Sequence, residues 1–455
     1  MKRWIKRIIF ALVLLLIVAV AGGYFYMLPT FKVATGYTAK VLCSNHFLTG
    51  QSVETVMDEM PDNPLVPFLH PQLDAEKGEA TVTLWGWAAS QTAIYRPGLG
   101  CTLLAGEKPY ETRAYTPPPA PALDASVPWP AGDAPAQTDA RLAPVLDRWF
   151  AETNPQNPRR TRAILVVKEG QIIAERYAEG YGKDTPFLGW SMTKSVTNAL
   201  LGILVQQGKL DIMAPAPVPE WAAADDPRHL ITTDQLIRMS SGLESSEDYG
   251  DLKSDVVQML YNSSDMGAYA ANKPLVAPPD TLWHYSSGTA NILARLIRHT
   301  IGGNITDVWA FPQQALFHRI GVTSAVIEPD ASGTFVGSSY MYATARDWAR
   351  FGQLYLQDGQ WEDEQILPPG WVDYTRTPAP ASHGQYGALW WLNYGSGDDK
   401  EWPGVPEDAY AAEGHDGQYV VVIPSRNMVI VRLGVSRHGA WQQTEFLKDV
   451  LAATQ

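Results

Sequence analysis

The sequence predicts a mixed α/β (α+β) fold in which one antiparallel β-sheet, flanked by helices, is assembled from both ends of a body spanning residues 139–455, with a mainly helical subdomain inserted between them. Two hairpin patterns and a helical middle carry this reading. In the first hairpin Ile164-Leu165-Val166-Val167 and Ile172-Ile173-Ala174 flank Glu169-Gly170, where glycine suits a tight turn that needs positive φ. In the second, the β-branched runs 419–423 and 428–433 flank Pro424-Ser425-Arg426-Asn427. Apolar residues recur at helical spacing over 196–207, 233–239 and 290–300. Strands at the ends and helices between them favour a segregated fold over an alternating parallel one. The body opens with a helix from Asp139 that places Leu142, Val145, Leu146 and Phe150 on one face, and closes with a helix from about Trp441 to Leu451.

Ahead of the body, Lys2, Arg3, Lys6 and Arg7 precede an uncharged run from Ile8 to Leu28 that stops at Pro29. As a helix this run is roughly 31 Å long, about the thickness of a bilayer's hydrocarbon core. Residues 1–28 are therefore a membrane anchor or a signal peptide. Ala19-Val20-Ala21 offers a small-x-small cleavage site, whereas the apolar residues 24–28 beyond it, aromatic at 24–26, favour a retained anchor. The basic cluster stays cytoplasmic by the positive-inside rule. The expected location is thus the cell inner membrane, single-pass with the body on the periplasmic or extracytoplasmic side, or the periplasm after cleavage. Residues 29–115 form an extracytoplasmic segment with a strand near 81–85 and no catalytic cluster, and no function is assigned to it. Cys43 and Cys101 both lie there, in turn-rich surroundings, and an oxidising compartment favours a disulfide between them over two buried thiols. Residues 116–138, rich in Pro and Ala, read as a semi-extended linker.

Composition narrows the chemistry. Of 455 residues 45% are hydrophobic and 18% charged, enough apolar material for a packed enzyme-sized body. The formal charge of −13 argues against a nucleic-acid partner, whose phosphates are neutralised by Lys and Arg. The chain has no P-loop, no Gly-x-Gly-x-x-Gly between strand and helix, no His-Glu-x-x-His and no Gly-x-Ser-x-Gly, and its nine histidines show no metal-ligand spacing. No metal and no cofactor is expected.

Ser191-Met192-Thr193-Lys194 is the informative tetrapeptide, because Ser191 is the only serine with a lysine three positions later. Three residues is one helical turn, so the hydroxyl and the ammonium project from one face at the start of the helix that follows. A serine hydroxyl is a poor nucleophile until a neighbour takes its proton, and a desolvated lysine can do so. Tyr285-Ser286-Ser287-Gly288 precedes an apolar helix, and a phenol beside an ammonium has its phenolate favoured, which suits proton shuttling by Tyr285. Gly414-His415-Asp416-Gly417-Gln418 precedes the run 419–423. There a glycine beside an edge strand would admit substrate backbone, and a strand N–H would complete an oxyanion hole with that of the nucleophile.

In this order, Ser-x-x-Lys, Tyr-x-Ser and His-x-Gly on the last hairpin resemble the serine β-lactamase and penicillin-binding-protein-like superfamily. The resemblance is strongest to the class C β-lactamase-like branch with aminohexanoate-dimer hydrolases, esterases and D-aminopeptidases. It covers residues 139–455. It implies a β-lactamase/transpeptidase-like fold, an acyl-enzyme on Ser191, proton handling by Lys194 and Tyr285, and an oxyanion held by the N–H groups of Ser191 and Gln418. Two departures shape the substrate. His415-Asp416-Gly417 stands where a permanent cation is usual, and Ser287 where an asparagine amide is usual. Both point to a small amide or ester, a small-molecule or short peptide-like substrate, with a D,D-peptidase, a weak β-lactamase or a non-catalytic sensor as the alternatives. Trp390-Trp391 resembles a pocket wall of that branch, or else a core strand with one exposed aromatic. Oligomeric state is not readable from the sequence.

Overall fold

A computed structural model describes residues 2–107, 115–395, 400–437 and 439–455. Helix α1 (Lys2–Thr49) opens the chain. Its first half is apolar and exposed, with Phe10 71% and Leu15 65% accessible, so no described part of the chain covers it. It runs on through Pro29, whose missing N–H leaves one carbonyl of the preceding turn without its helical partner. From Phe31 the helix turns buried. Phe31, Val33, Ala39, Leu42 and Cys43 pack under a four-stranded antiparallel meander, β1 (Leu69–Asp74), β2 (Glu79–Leu84), β3 (Ala89–Arg96) and β4 (Gly100–Leu103). A disulfide joins Cys43 on α1 to Cys101 on β4, the pairing expected from the compartment.

Residues 29–103, expected as a segment set off by a linker, share the apolar core of the body. Gly36 allows α1 to pass so close to the body that a Cβ there would lie 2.6 Å from the Tyr261 carbonyl oxygen. Lys40 and Glu328 form a buried ion pair across the same junction, and Ser44 Oγ donates to Glu328 Oε1 at 2.9 Å. The Pro/Ala-rich stretch is likewise laid on the body. Trp129 is buried, and Arg350 donates to the carbonyls of Pro130 (3.0 Å) and Gly132 (2.7 Å).

The body is built as its end-to-end pattern predicts. After helix α2 (Ala143–Phe150), strands β5 (Thr161–Lys168) and β6 (Gln171–Tyr177) form a hairpin turned by Glu169 and Gly170, both at positive φ. The middle is helical: α3 (Met192–Gln206), α4 (Asp255–Asn262), α5 (Ser287–Ile301) and α6 (Ala345–Leu356). Strands β7 (Trp391–Leu392), β8 (Tyr410–Gly414), β9 (Gln418–Ile423) and β10 (Met428–Gly434) follow, then helix α7 (Gln443–Ala453). The sheet order is β7-β8-β9-β10-β5-β6, so the first and last hairpins meet through β10 and β5. Alternation along the strands sends Leu165, Val167, Val420 and Val429 to the side of α6, and Ile164, Val166, Val421 and Ile430 to the side of α2 and α7. With both faces covered, these strands read as continuous apolar runs. Gly352 brings α6 onto the sheet, where a Cβ would stand 2.6 Å from Val429 and 2.7 Å from Val420. Strand β9 is interior, a correction to the edge position expected for it, because β7 and β8 extend the sheet beyond it.

Candidate functional site

Ser191 occupies the N-cap of α3, and its side chain makes no capping bond to the helix. The preceding Trp190 takes φ +47°, a strained turn between a short strand and the helix that fixes where Ser191 points. One turn on, Lys194 is 1% exposed. Its Nζ donates to Ser191 Oγ at 2.9 Å, to Ser287 Oγ at 3.0 Å and to the Ser338 carbonyl at 3.1 Å. Burial pushes its pKa down to about 8, against the pull of the Glu247 charge, which favours the ammonium.

Tyr285 and Ser287 arrive at the start of α5, which is capped by Ser286 through the Thr289 N–H at 3.2 Å. Lys194 Nζ lies 4.7 Å from the Tyr285 ring centroid, and Ser191 is near enough to the phenol to pull its pKa down against burial. The expected acidification of this phenol is overturned: burial, then the neighbouring Tyr386 and Glu247, push its pKa well above the ordinary value. Tyr285 is therefore held as a neutral phenol at physiological pH.

The hairpin β8–β9 closes another side. A Cβ on Gly414 would collide with the Gly189 carbonyl, so this glycine lets the hairpin lie against the segment leading into Ser191. Gln418 is buried, and its side chain is spent on stapling the hairpin, donating to the His415 carbonyl (3.1 Å) and accepting from the Gly434 N–H (3.0 Å). Gly417 takes φ +82°, and a Cβ there would stand 2.7 Å from Arg432. The His415 ring stacks on Tyr249 at 5.0 Å and meets Trp190 edge-on at 5.7 Å.

The Trp pair separates. Trp391 is half-buried and stacks on Tyr285 at 5.3 Å. Trp390 is fully buried against Tyr355 (4.5 Å) and Tyr410 (5.2 Å), which corrects its placement on a pocket wall: it ends the bend ahead of β7, after Leu389 at positive φ, and its ring packs into the core. Sequence reasoning missed Glu247 and Tyr249. Glu247 accepts from the Ser287 N–H at 2.9 Å and from the Ser287 hydroxyl, and the Tyr249 ring stands beside them, stacked on His415. Both sit in the irregular loop 244–250, where no periodicity marks a residue, and the only signal was acidic and aromatic side chains just after Ser240-Ser241-Gly242-Leu243.

Ser191, Lys194, Ser287 and Glu247 thus form one hydrogen-bonded chain beside the Tyr285 ring, with Trp391, His415 and the Gly417-Gln418 hairpin around it. A family model described as Beta-lactamase matches residues 146–445, which contain all of these residues. The 6-aminohexanoate-dimer hydrolase of Paenarthrobacter ureafaciens is 24% identical over 329 residues, 64% of this chain and 78% of that protein. A penicillin-binding protein homologue from Caulobacter crescentus shares the fold with a TM-score of 0.55 at 14% identity, over 70% of this chain and 99% of that one. EstCE1, a hydrolase with promiscuous acyltransferase activity, does so with a TM-score of 0.54 at 15% identity, over 69% and 97%. The fold, the span of the match and the related hydrolase agree: this chain belongs to the Beta-lactamase family, as a β-lactamase-fold hydrolase related to 6-aminohexanoate-dimer hydrolase.

Proposed function

We propose that the protein is a serine hydrolase that cleaves a small amide or ester through an acyl-enzyme on Ser191. The observation that carries this reading is the buried Lys194 Nζ, 2.9 Å from Ser191 Oγ and with its pKa lowered to about 8. About one lysine in ten is then neutral at pH 7 and able to accept a proton. In the first step Ser191 Oγ bonds to the substrate carbonyl carbon and its proton passes to Lys194. The bond to the leaving alcohol or amine then breaks. Tyr285, kept protonated, hands a proton to that leaving group and regains one from the Lys194 ammonium. Water reverses the sequence, adding hydroxide to the acyl carbon and returning the proton to Ser191. The N–H groups of Ser191 and Gln418 hold the oxyanion in both steps.

The substrate class follows from the wall opposite. His415 offers no permanent cation for a carboxylate, and the related hydrolase acts, by its name, on the 6-aminohexanoate dimer. The exposed apolar half of α1 and the Cys43–Cys101 disulfide support a single-pass protein with its body on the extracytoplasmic side. Mass spectrometry after treatment with a fluorophosphonate tests the central claim. Wild type gains one adduct on the peptide carrying Ser191, and Ser191→Ala gains none; equal labelling of the two would refute the assignment.

A further inference from the structure

A cavity of about 400 Å³ lies between α1 and the body, within the range of pockets that bury a drug-sized ligand. Val33, Ala34 and Tyr37 line it from one face of α1, and Leu65, Leu69 and Val257 face them. The end nearest Ser191 carries Trp190, its chain neighbour, with the stacked rings of His415 and Tyr249. Tyr249 is near enough to Ser287 and Tyr285 for both to act on its phenol, so this wall adjoins the Lys194 cluster. The charged groups at the margin are committed inside the protein. Arg437 donates to the Met60 carbonyl at 2.8 Å and lies 3.8 Å from Asp416. What remains is a largely apolar chamber whose Trp190, Tyr249 and His415 wall adjoins the candidate nucleophile.

Its position along α1 bears on what enters. The exposed apolar stretch ends near Tyr26, and Val33 follows seven residues later, about 10 Å along the helix. Around that level stands an aromatic collar: Tyr24 stacks on Trp87 at 6.2 Å, Phe31 meets Trp85 at 5.5 Å, and Phe68 lies 6.0 Å from Trp85. Trp87 is 75% exposed and Trp85 41%, although their turn joins two strands of a packed sheet. Aromatic side chains of this kind gather at the membrane–water interface.

We propose that this cavity seats the acyl chain of an amphipathic ester or amide whose carbonyl is presented to Ser191, so that α1 is a wall of the substrate site. The proposal rests on the acyl-enzyme reading above and names its substrate class. The chain stays in the cavity while Ser191 Oγ displaces the alcohol or amine, which leaves with a proton, and water then releases the fatty acid.

The test uses the full chain in phosphatidylcholine nanodiscs with p-nitrophenyl esters from acetate to decanoate. Burying one methylene favours the longer ester by up to about fourfold, so kcat/KM rises two- to fourfold per carbon and levels where the cavity is full. Ala34→Trp fills the cavity and reduces the decanoate-to-acetate ratio at least tenfold; Leu65→Trp does so from the facing wall if the first variant fails to fold. Ser191→Ala, which cannot turn over, binds a fluorescent fatty acid that Ala34→Trp excludes. Presenting the decanoate dissolved in water or embedded in the bilayer separates a soluble amphiphile from a lipid, and chain-length dependence in either supports the cavity. Ser191-dependent hydrolysis with a flat chain-length profile overturns the inference while leaving the acyl-enzyme intact. Fatty-acid binding with no ester turnover supports the cavity and overturns the hydrolase reading.

Discussion

Lys194 Nζ donates to Ser191 Oγ across 2.9 Å from a side chain that is 1% exposed. Two properties of the site meet in this bond. Helical spacing brings the groups together, and burial lowers the pKa of the lysine.

The first consequence is a pH dependence. Lys194 accepts a proton only when neutral, and its pKa is lowered to about 8. Below pH 8 the neutral fraction falls tenfold per unit, and above it the fraction levels. Ester kcat/KM measured from pH 6 to 9.5 should therefore climb with pH and flatten with a midpoint near 8. A flat profile would remove Lys194 as the base.

Glu247 sets that midpoint. Its charge favours the Lys194 ammonium and opposes the effect of burial. Removing the charge in Glu247→Gln leaves burial unopposed, so the midpoint should move to lower pH, while the amide oxygen still accepts from Ser287. The same pH–rate measurement reads it, and an unmoved midpoint would sever Glu247 from the lysine.

Adjacent tryptophans should fail in different ways. Trp390 fills the core against Tyr355 and Tyr410, and Trp390→Ala should cost about 3–5 kcal/mol, seen as a large drop in Tm. Trp391 is half-buried and stacked on Tyr285, so Trp391→Ala should keep Tm within a few degrees and lower kcat/KM about tenfold, the effect of ~1.4 kcal/mol of lost positioning. Equal thermal losses would contradict the division.

The Lys40–Glu328 pair ties α1 to the body with both side chains buried. Burial lowers the Lys40 pKa and raises that of Glu328, so each ion depends on the other for its charge. Glu328→Gln leaves an uncompensated ammonium and should destabilise by about 3–5 kcal/mol, whereas Lys40→Met with Glu328→Leu should recover most of the loss. Chemical denaturation of the detergent-purified chain reports both. A double variant weaker than the single would show that the ion pair itself stabilises the junction.

Much of the site was legible where chemistry follows local spacing. Ser191 and Lys194 are three residues apart on a helix, and the turn at Glu169-Gly170 needs only residues that accept positive φ. Ser287 was found through a family pattern, because nothing in a helix start marks a partner for a lysine 93 positions away. Glu247 and Tyr249 were missed because an irregular loop carries no period. The relation of residues 29–103 to the body was illegible for another reason: a Pro-rich stretch looks the same in sequence whether it hangs free or is clamped by Arg350.

By itself the sequence determined the apolar N-terminal helix, the two hairpins that pair end to end, the Cys43–Cys101 disulfide and the proximity of Ser191 to Lys194. The helix, the hairpins and the Ser191–Lys194 proximity follow from period, turn chemistry and one helical turn, and the disulfide from two cysteines in an exported segment. Tertiary structure alone decided that Lys194 is dry enough for a pKa of about 8, that Tyr285 stays protonated, that Trp391 and not Trp390 faces the site, and that α1 walls a cavity beside it. Each of these depends on which distant surfaces exclude water from a group, and exclusion of water is a property of the packed whole.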